Sequence, residues 1–118
     1  MPDADRPAPW GGRAAVGSVP EELDPVIHAP ARLRVVASLA AMGRGDEVAF
    51  TKLRKLLDMT AGNLSTHLRK LEDAGYVRVT KTHEGRMPAT YLALTDTGRT
   101  AFAGYQAALM ELLKGAQG

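Results

Sequence analysis

Apolar residues recur along this chain in blocks whose spacing changes from helical to strand-like and back. Leu33, Val36, Leu39 and Ala40 keep a helical spacing that ends where Gly43 and Gly45 break it. Pro30 suits the first turn of that helix, where its missing N–H costs nothing, and Leu23–Ile27 is expected to form a helical turn before it. Glu47–Phe50 is expected to be a short strand or an extended link. A second helix is expected to carry Leu53, Leu56 and Leu57 inward with Thr51 as its cap; Asp58-Met59 makes the turn, and Thr60 caps a third helix over 60–74. There Leu64, Leu68 and Leu71 fall at i, i+4 and i+7, one narrow face, and Gly75 stands where a helix C-terminus favours a left-handed residue.

Strand signals follow. Tyr76–Lys81 and Ala89–Leu94 are β-rich runs separated by Thr82–Pro88, a hairpin loop with Gly85 available for a positive φ. Thr95 is the cap of a final helix with Ala101, Phe102, Tyr105, Leu109, Leu112 and Leu113 as its apolar residues. The predicted order is helix, short strand, helix, helix, strand, loop, strand, helix. That is a mainly α fold with a small β-hairpin (α+β), the order of a winged helix-turn-helix. Residues 1–22 contain four prolines and three glycines without a periodic apolar pattern and are expected to be a disordered arm preceding a domain over 23–118. Trp10 is the arm's one large apolar residue, equally suited to pinning the arm down and to lying free.

A length of 118 residues allows one small domain. Aromatics make up only 5 %, so the core must be built from Leu, Val, Ala and Met. The absence of cysteine excludes disulfides and thiolate metal sites. No apolar run approaches the roughly 20 residues a membrane helix needs, and the N-terminus lacks an apolar signal segment; a soluble cytoplasmic protein without a membrane partner is expected. Net charge is +2, but its distribution is uneven. Lys52, Arg54, Lys55, Arg69, Lys70, Arg78, Lys81 and Arg86 outnumber Asp58, Glu72, Asp73 and Glu84 over residues 52–86, whereas residues 1–51 are net acidic. The positive charge therefore sits on the segment that reads as two short helices and a hairpin, as a phosphate-contacting surface requires.

The strings PARLRVVASLA, FTKLRKLLDMTAGNLSTHLRKLEDAGYV and YLALTDTGRTAFAGY resemble winged helix-turn-helix transcriptional regulators of the MarR/ArsR type, and most of all their small stand-alone winged-helix DNA-binding subgroup. The similarity runs from about Leu23 to Leu113; its most specific pieces are the GNLSTHLRKLEDAGYV block and the LTDTGR start of the last helix. The resemblance implies a homodimer on a pseudo-palindromic double-stranded DNA operator. It puts helix 60–74 in the major groove and the hairpin, 81–89, as a wing on the backbone or minor groove. The chain lacks the Cys and His clusters of metal-sensing ArsR proteins and the long leading helix of many MarR proteins, so neither a metal, another cofactor nor a small-molecule effector is indicated.

Residue by residue, Asn63 can pair a donor and an acceptor with adenine, or occupy a capping box with Thr60. Gly62 either admits a phosphate close to the backbone or is simply tolerated near the helix end. Ser65, Thr66 and Arg69 project away from the leucine face; Arg69 suits guanine or, more commonly for such contacts, a phosphate. Lys70 leans further round, and His67 flanks the apolar face as a packed side chain. In the wing, Lys81, His83 and Arg86 bracket Gly85, where arginine can enter a narrow minor groove or merely keep the turn soluble. Thr51 and Lys52 begin a helix whose N-terminus can hold a phosphate. Phe102, Tyr105, Leu109, Leu112 and Leu113 make a stripe wider than a small core needs; its distal part, from Tyr105 onward, is expected to pack on the same helix of a second copy together with Leu23–Ile27, the alternative being that it folds back on the first helix. An enzyme is not expected: His28, His67 and His83 fall on separate elements without a nucleophile or carboxylate partner, and no glycine-rich phosphate loop is present. The competing readings are a winged-helix protein-interaction module and an architectural DNA binder without sequence preference.

Overall fold

A computed structural model describes residues 23–117; the arm over 1–22, with Trp10, lies outside the described residues. The elements are α1 (Pro30–Ala40), β1 (Val48–Ala49), α2 (Phe50–Leu57), α3 (Ala61–Asp73), β2 (Val77–Glu84), β3 (Met87–Leu94) and α4 (Asp96–Gln117). The three strands form an antiparallel sheet in the order β1-β3-β2. β2 and β3 pair along their full length from Val77↔Leu94 to Glu84↔Met87, and β1 adds Val48↔Leu92 and Ala49↔Tyr91.

One apolar cluster gathers Val35, Val36 and Leu39 of α1, Leu53 and Leu57 of α2, Leu64, Leu68 and Leu71 of α3, and Val77, Leu92 and Leu94 of the sheet. Its members alternate at i, i+4 on the helices and i, i+2 on β3, the two periods that put side chains on one face. A second cluster joins Leu23 and Ile27 to Tyr105 of α4. Tyr105 is only 3 % exposed, and its hydroxyl lies 2.9 Å from His28 Nδ1. The stripe on α4 is thus divided: Phe102 and Tyr105 are used within the chain, while Leu112 and Leu113 remain exposed. The expectation that Tyr105 meets a second copy is corrected, because the segment before α1 already covers it.

Three further expectations change. Thr51 does not cap α2: the helix starts at Phe50 with Ala49 at the N-cap and no side-chain cap bond. Pairing of Val48 and Ala49 with β3 ends just where Phe50 turns into the core, so the cap and the helix start lie two residues earlier than expected. Leu56 is 70 % exposed, not inward, because an eight-residue helix buries only the i, i+4 pair Leu53 and Leu57. The hairpin loop is also shorter than Thr82–Pro88: the strands run to Glu84 and from Met87, leaving Gly85 and Arg86 as the turn. Gly85 has φ +64 while Arg86 does not enter the positive region, the pattern of a tight turn whose twist matches the strands. Pro88 can lie in β3 because β1 pairs only with Tyr91 and Leu92, so near Pro88 β3 is an edge.

The junctions that aim α3 are specific. Asp58 takes a left-handed conformation, φ 53, at the turn between α2 and α3. Arg34 Nη2 donates to the Leu57 carbonyl at 2.7 Å and Arg54 Nη1 to that of Met59 at 3.3 Å, pinning both sides of the turn. At the far end Gly75, φ +81, closes α3: its N–H donates to the Glu72 carbonyl and the Tyr76 N–H to that of Leu71, each at 2.9 Å. This pair of bonds satisfies carbonyls the helix would otherwise leave open. Thr95 then ties α3 to α4. Its N–H donates to Tyr76 O at 3.0 Å, its hydroxyl to Gly75 O at 2.6 Å, and the same hydroxyl oxygen accepts from Gly98 N–H at 2.9 Å. Arg99, one turn on, donates to the carbonyls of Ala40, Met42 and Gly43 at 3.1–3.3 Å and so caps the C-terminus of α1. The LTDTGR motif is the fastener of the fold.

Candidate nucleic-acid interface

α3 forms because Thr60 satisfies its first turn: Thr60 Oγ1 accepts from the Asn63 N–H at 3.1 Å. With Leu64, Leu68 and Leu71 buried, the helical repeat sets the positions of the other residues. Gly62, Thr66, Arg69 and Asp73 form the stripe diametrically opposite the leucines. Ser65 and Glu72 flank it on one side; Asn63 and Lys70 flank it on the other. All of these, with Thr60, are exposed. The cap bond to Thr60 uses the backbone of Asn63, which leaves its exposed side-chain amide for an outside partner. His67 is half-buried with an enclosed Nδ1 that has no hydrogen-bond partner among the described residues, consistent with a packed side chain.

Charge divides this helix along its length. Gly62, Asn63, Ser65, Thr66, Arg69 and Lys70 occupy its first ten residues, whereas Glu72 and Asp73 end it. A polyanion is therefore favoured at the N-terminal two-thirds, where the free N–H groups also lie, and repelled at the end.

The wing stands beside this surface. Alternation along β2 puts Lys81 and His83 on the face of Val77 and Val79, and Arg78, Thr80, Thr82 and Glu84 on the other. Lys81 and Thr90 line a groove of about 370 Å³ with Ser65, Arg69 and Glu72 of α3, floored by Phe50, Leu68 and Val79. The groove thus has one cation on each wall. Arg86 is exposed at the turn, and Glu84, on the opposite face, accepts the Tyr91 hydroxyl. Thr51 and Lys52 are exposed in the first turn of α2. Because Ala49 offers no side-chain cap, the N–H groups of that turn are left to an outside acceptor.

The ion pair among the described residues is Arg44–Asp96 at 2.9 Å, on the α1–α4 side, where the Arg44 guanidinium holds the Asp96 carboxyl below the usual carboxylate range. Arg69, Lys70, Lys81 and Arg86 are not paired to any described carboxylate. The structure brings Ser65, Arg69 and Lys81 together at one groove, buries Tyr105 and leaves Phe102 half-buried against the core. The reading from sequence missed Arg34, Arg54 and Arg99, which position the interface from behind. Their partners lie in other segments, except that Arg54 reaches across its own turn, and nothing in the local pattern distinguishes them from surface arginines.

Residues 31–113 match the family described as winged helix DNA-binding domain. An uncharacterized protein of Methanocaldococcus jannaschii is 30 % identical over 89 residues, which span 75 % of this chain and 94 % of that one. A transcriptional regulator homologue from Pyrococcus horikoshii has a TM-score of 0.72 at 29 % identity, covering 81 % of this chain and 93 % of its own. MepR of S. aureus, solved as a complex with DNA, superposes with a TM-score of 0.64 at 18 % identity over 82 % of this chain and 77 % of that chain; identity at that level speaks for the fold alone. The family and fold are those of DNA-binding transcriptional regulators rather than enzymes. With α2, the turn, α3 and the β2–β3 hairpin all in place across the matched region, the chain belongs to the winged helix DNA-binding domain family.

Proposed function

We propose that the chain is a sequence-specific regulator of transcription that binds double-stranded DNA as a homodimer and represses by occluding a promoter. The observation that carries this reading is the composition of the outward side of α3: small polar residues, an amide and cations from Thr60 to Lys70, with Lys81 on the facing wall of the wing groove. Small polar side chains fit base edges in the major groove, while Arg69, Lys70, Lys81 and the α2 N-terminus suit the flanking phosphates. Arg86 at the tight turn suits the minor groove or its backbone. A protein-docking helix would instead expose apolar or acidic residues there. The kinship in fold with MepR, whose structure contains DNA, supports the same use. The dimer is supported by the distal part of α4, where Met110, Leu112 and Leu113 are exposed beyond the cluster at Tyr105. Two copies would double the sequence read and match a two-fold operator.

Fluorescence anisotropy on duplexes selected by the protein tests this. Log affinity should fall linearly with log salt, and Arg86→Ala should reduce the slope by about one unit if it holds one phosphate. Asn63→Ala should weaken the selected site more than random DNA. Equal, weak binding to every duplex would remove the sequence-reading function in favour of an architectural role. Absence of binding at any salt would favour a protein-docking module.

A further inference from the structure

Thr66 occupies the centre of the outward stripe of α3, and its hydroxyl is not a free rotor. Oγ1 lies 3.0 Å from the carbonyl oxygen of Gly62, one turn earlier. A carbonyl can only accept, so in this bond the Thr66 proton points to Gly62 and not outward. What Oγ1 can still offer outward is its remaining lone-pair capacity. An unconstrained threonine can address either a donor or an acceptor on a base; with the bond to Gly62 kept, this one accepts.

Gly62 completes the arrangement. It is the residue on the same stripe one turn before Thr66, and an added Cβ there would meet no atom within 4 Å. Internal packing therefore does not demand glycine at this position.

Resting on the DNA-reading function above, we propose that Thr66 is a specificity residue that selects an exocyclic amino group in the major groove. The groups of that kind are N6 of adenine and N4 of cytosine. Guanine, with N7 and O6, and thymine, with O4, present acceptors and are rejected at that position, because two acceptors would face each other without a proton. Asn63 and Arg69 keep donors available and do not share this restriction.

The test is selection of preferred sites from a random duplex library by wild type, Thr66→Val and Thr66→Ser, followed by affinity measurements. Valine keeps the branched shape and loses the oxygen; serine can keep the bond to Gly62. Wild type and the serine variant should enrich one particular base pair at one position per half-site, and the valine variant should flatten that position alone. In the winning duplex, purine in place of the adenine, or a 4-deaminated pyrimidine in place of the cytosine, should weaken wild type about five- to tenfold. The same change should leave the valine variant unmoved, and the two analogues tell which base is read. A wild-type motif that valine leaves unchanged, or a wild type whose affinity is unmoved when the amino group is removed at the position valine flattens, overturns the proposal while the DNA-reading function stands. A wild type that enriches no motif overturns both. Unaltered thermal unfolding of the variants shows that the readout is recognition and not folding.

Discussion

Replacing Gly98 by alanine tests whether α3 and α4 are joined as rigidly as the geometry indicates. Gly98 lies in the first turn of α4, where alanine would ordinarily stabilise by up to about 1 kcal/mol. Here an added Cβ would stand 2.2 Å from the Tyr76 carbonyl oxygen and 2.8 Å from Leu94 Cδ1. The oxygen is backbone and already accepts the Thr95 N–H, so it cannot swing aside. α4 must instead shift outward, which strains the Thr95 bonds to Tyr76 and Gly75 as well as the cap on Gly98. Overpacking costs about 1–3 kcal/mol, and weakening two such hydrogen bonds adds roughly 1–2. The net expectation, after the gain in helix propensity, is a loss of about 3 kcal/mol. For a domain of this size that lowers Tm by well over ten degrees, about 4–8 °C per kcal/mol. Thermal unfolding followed by circular dichroism measures it directly. An unchanged or raised Tm would refute the idea that the close approach of α4 to Tyr76 fixes the end of α3.

The same substitution at Gly62 has the opposite sign: with open space around the new Cβ, Gly62→Ala should raise stability by up to about 1 kcal/mol while weakening DNA binding, read by unfolding and anisotropy on the same sample. Arg99→Met removes three bonds to the carbonyls at the end of α1 and should cost about 2 kcal/mol in chemical denaturation. Tyr76 donates its hydroxyl to the Asp24 carboxylate, a bond that, with partial burial, pushes its pKa up to about 12. The unfolded tyrosine loses its proton near 10, so between those values the unfolded state binds fewer protons and stability falls as pH rises. The contribution is complete below pH 10 and gone above 12; Tyr76→Phe should abolish that part of the alkaline loss, seen in denaturation curves across the range.

Local sequence determined the elements and the outward face of α3. Leu64, Leu68 and Leu71 fix which side of α3 is buried, and the helical repeat then fixes that Gly62, Thr66 and Arg69 face away. Thr60, Gly75 and Thr95 act within four residues of the helix ends they close, so their roles were legible without a fold. Tertiary structure decided what depends on distant partners. Three leucines in a row of five on α2 are indistinguishable until the core selects Leu53 and Leu57 and leaves Leu56 outside. Tyr105 is claimed by Leu23, Ile27 and His28, some eighty residues away, and so leaves the expected interface. The commitment of the Thr66 proton to Gly62 depends on a side-chain rotamer, which residue identity does not specify. Periodicity decides which way a side chain faces, because the backbone repeat is local; what it then touches, and what its polar atoms have left to offer, is settled only when the chain has folded back on itself.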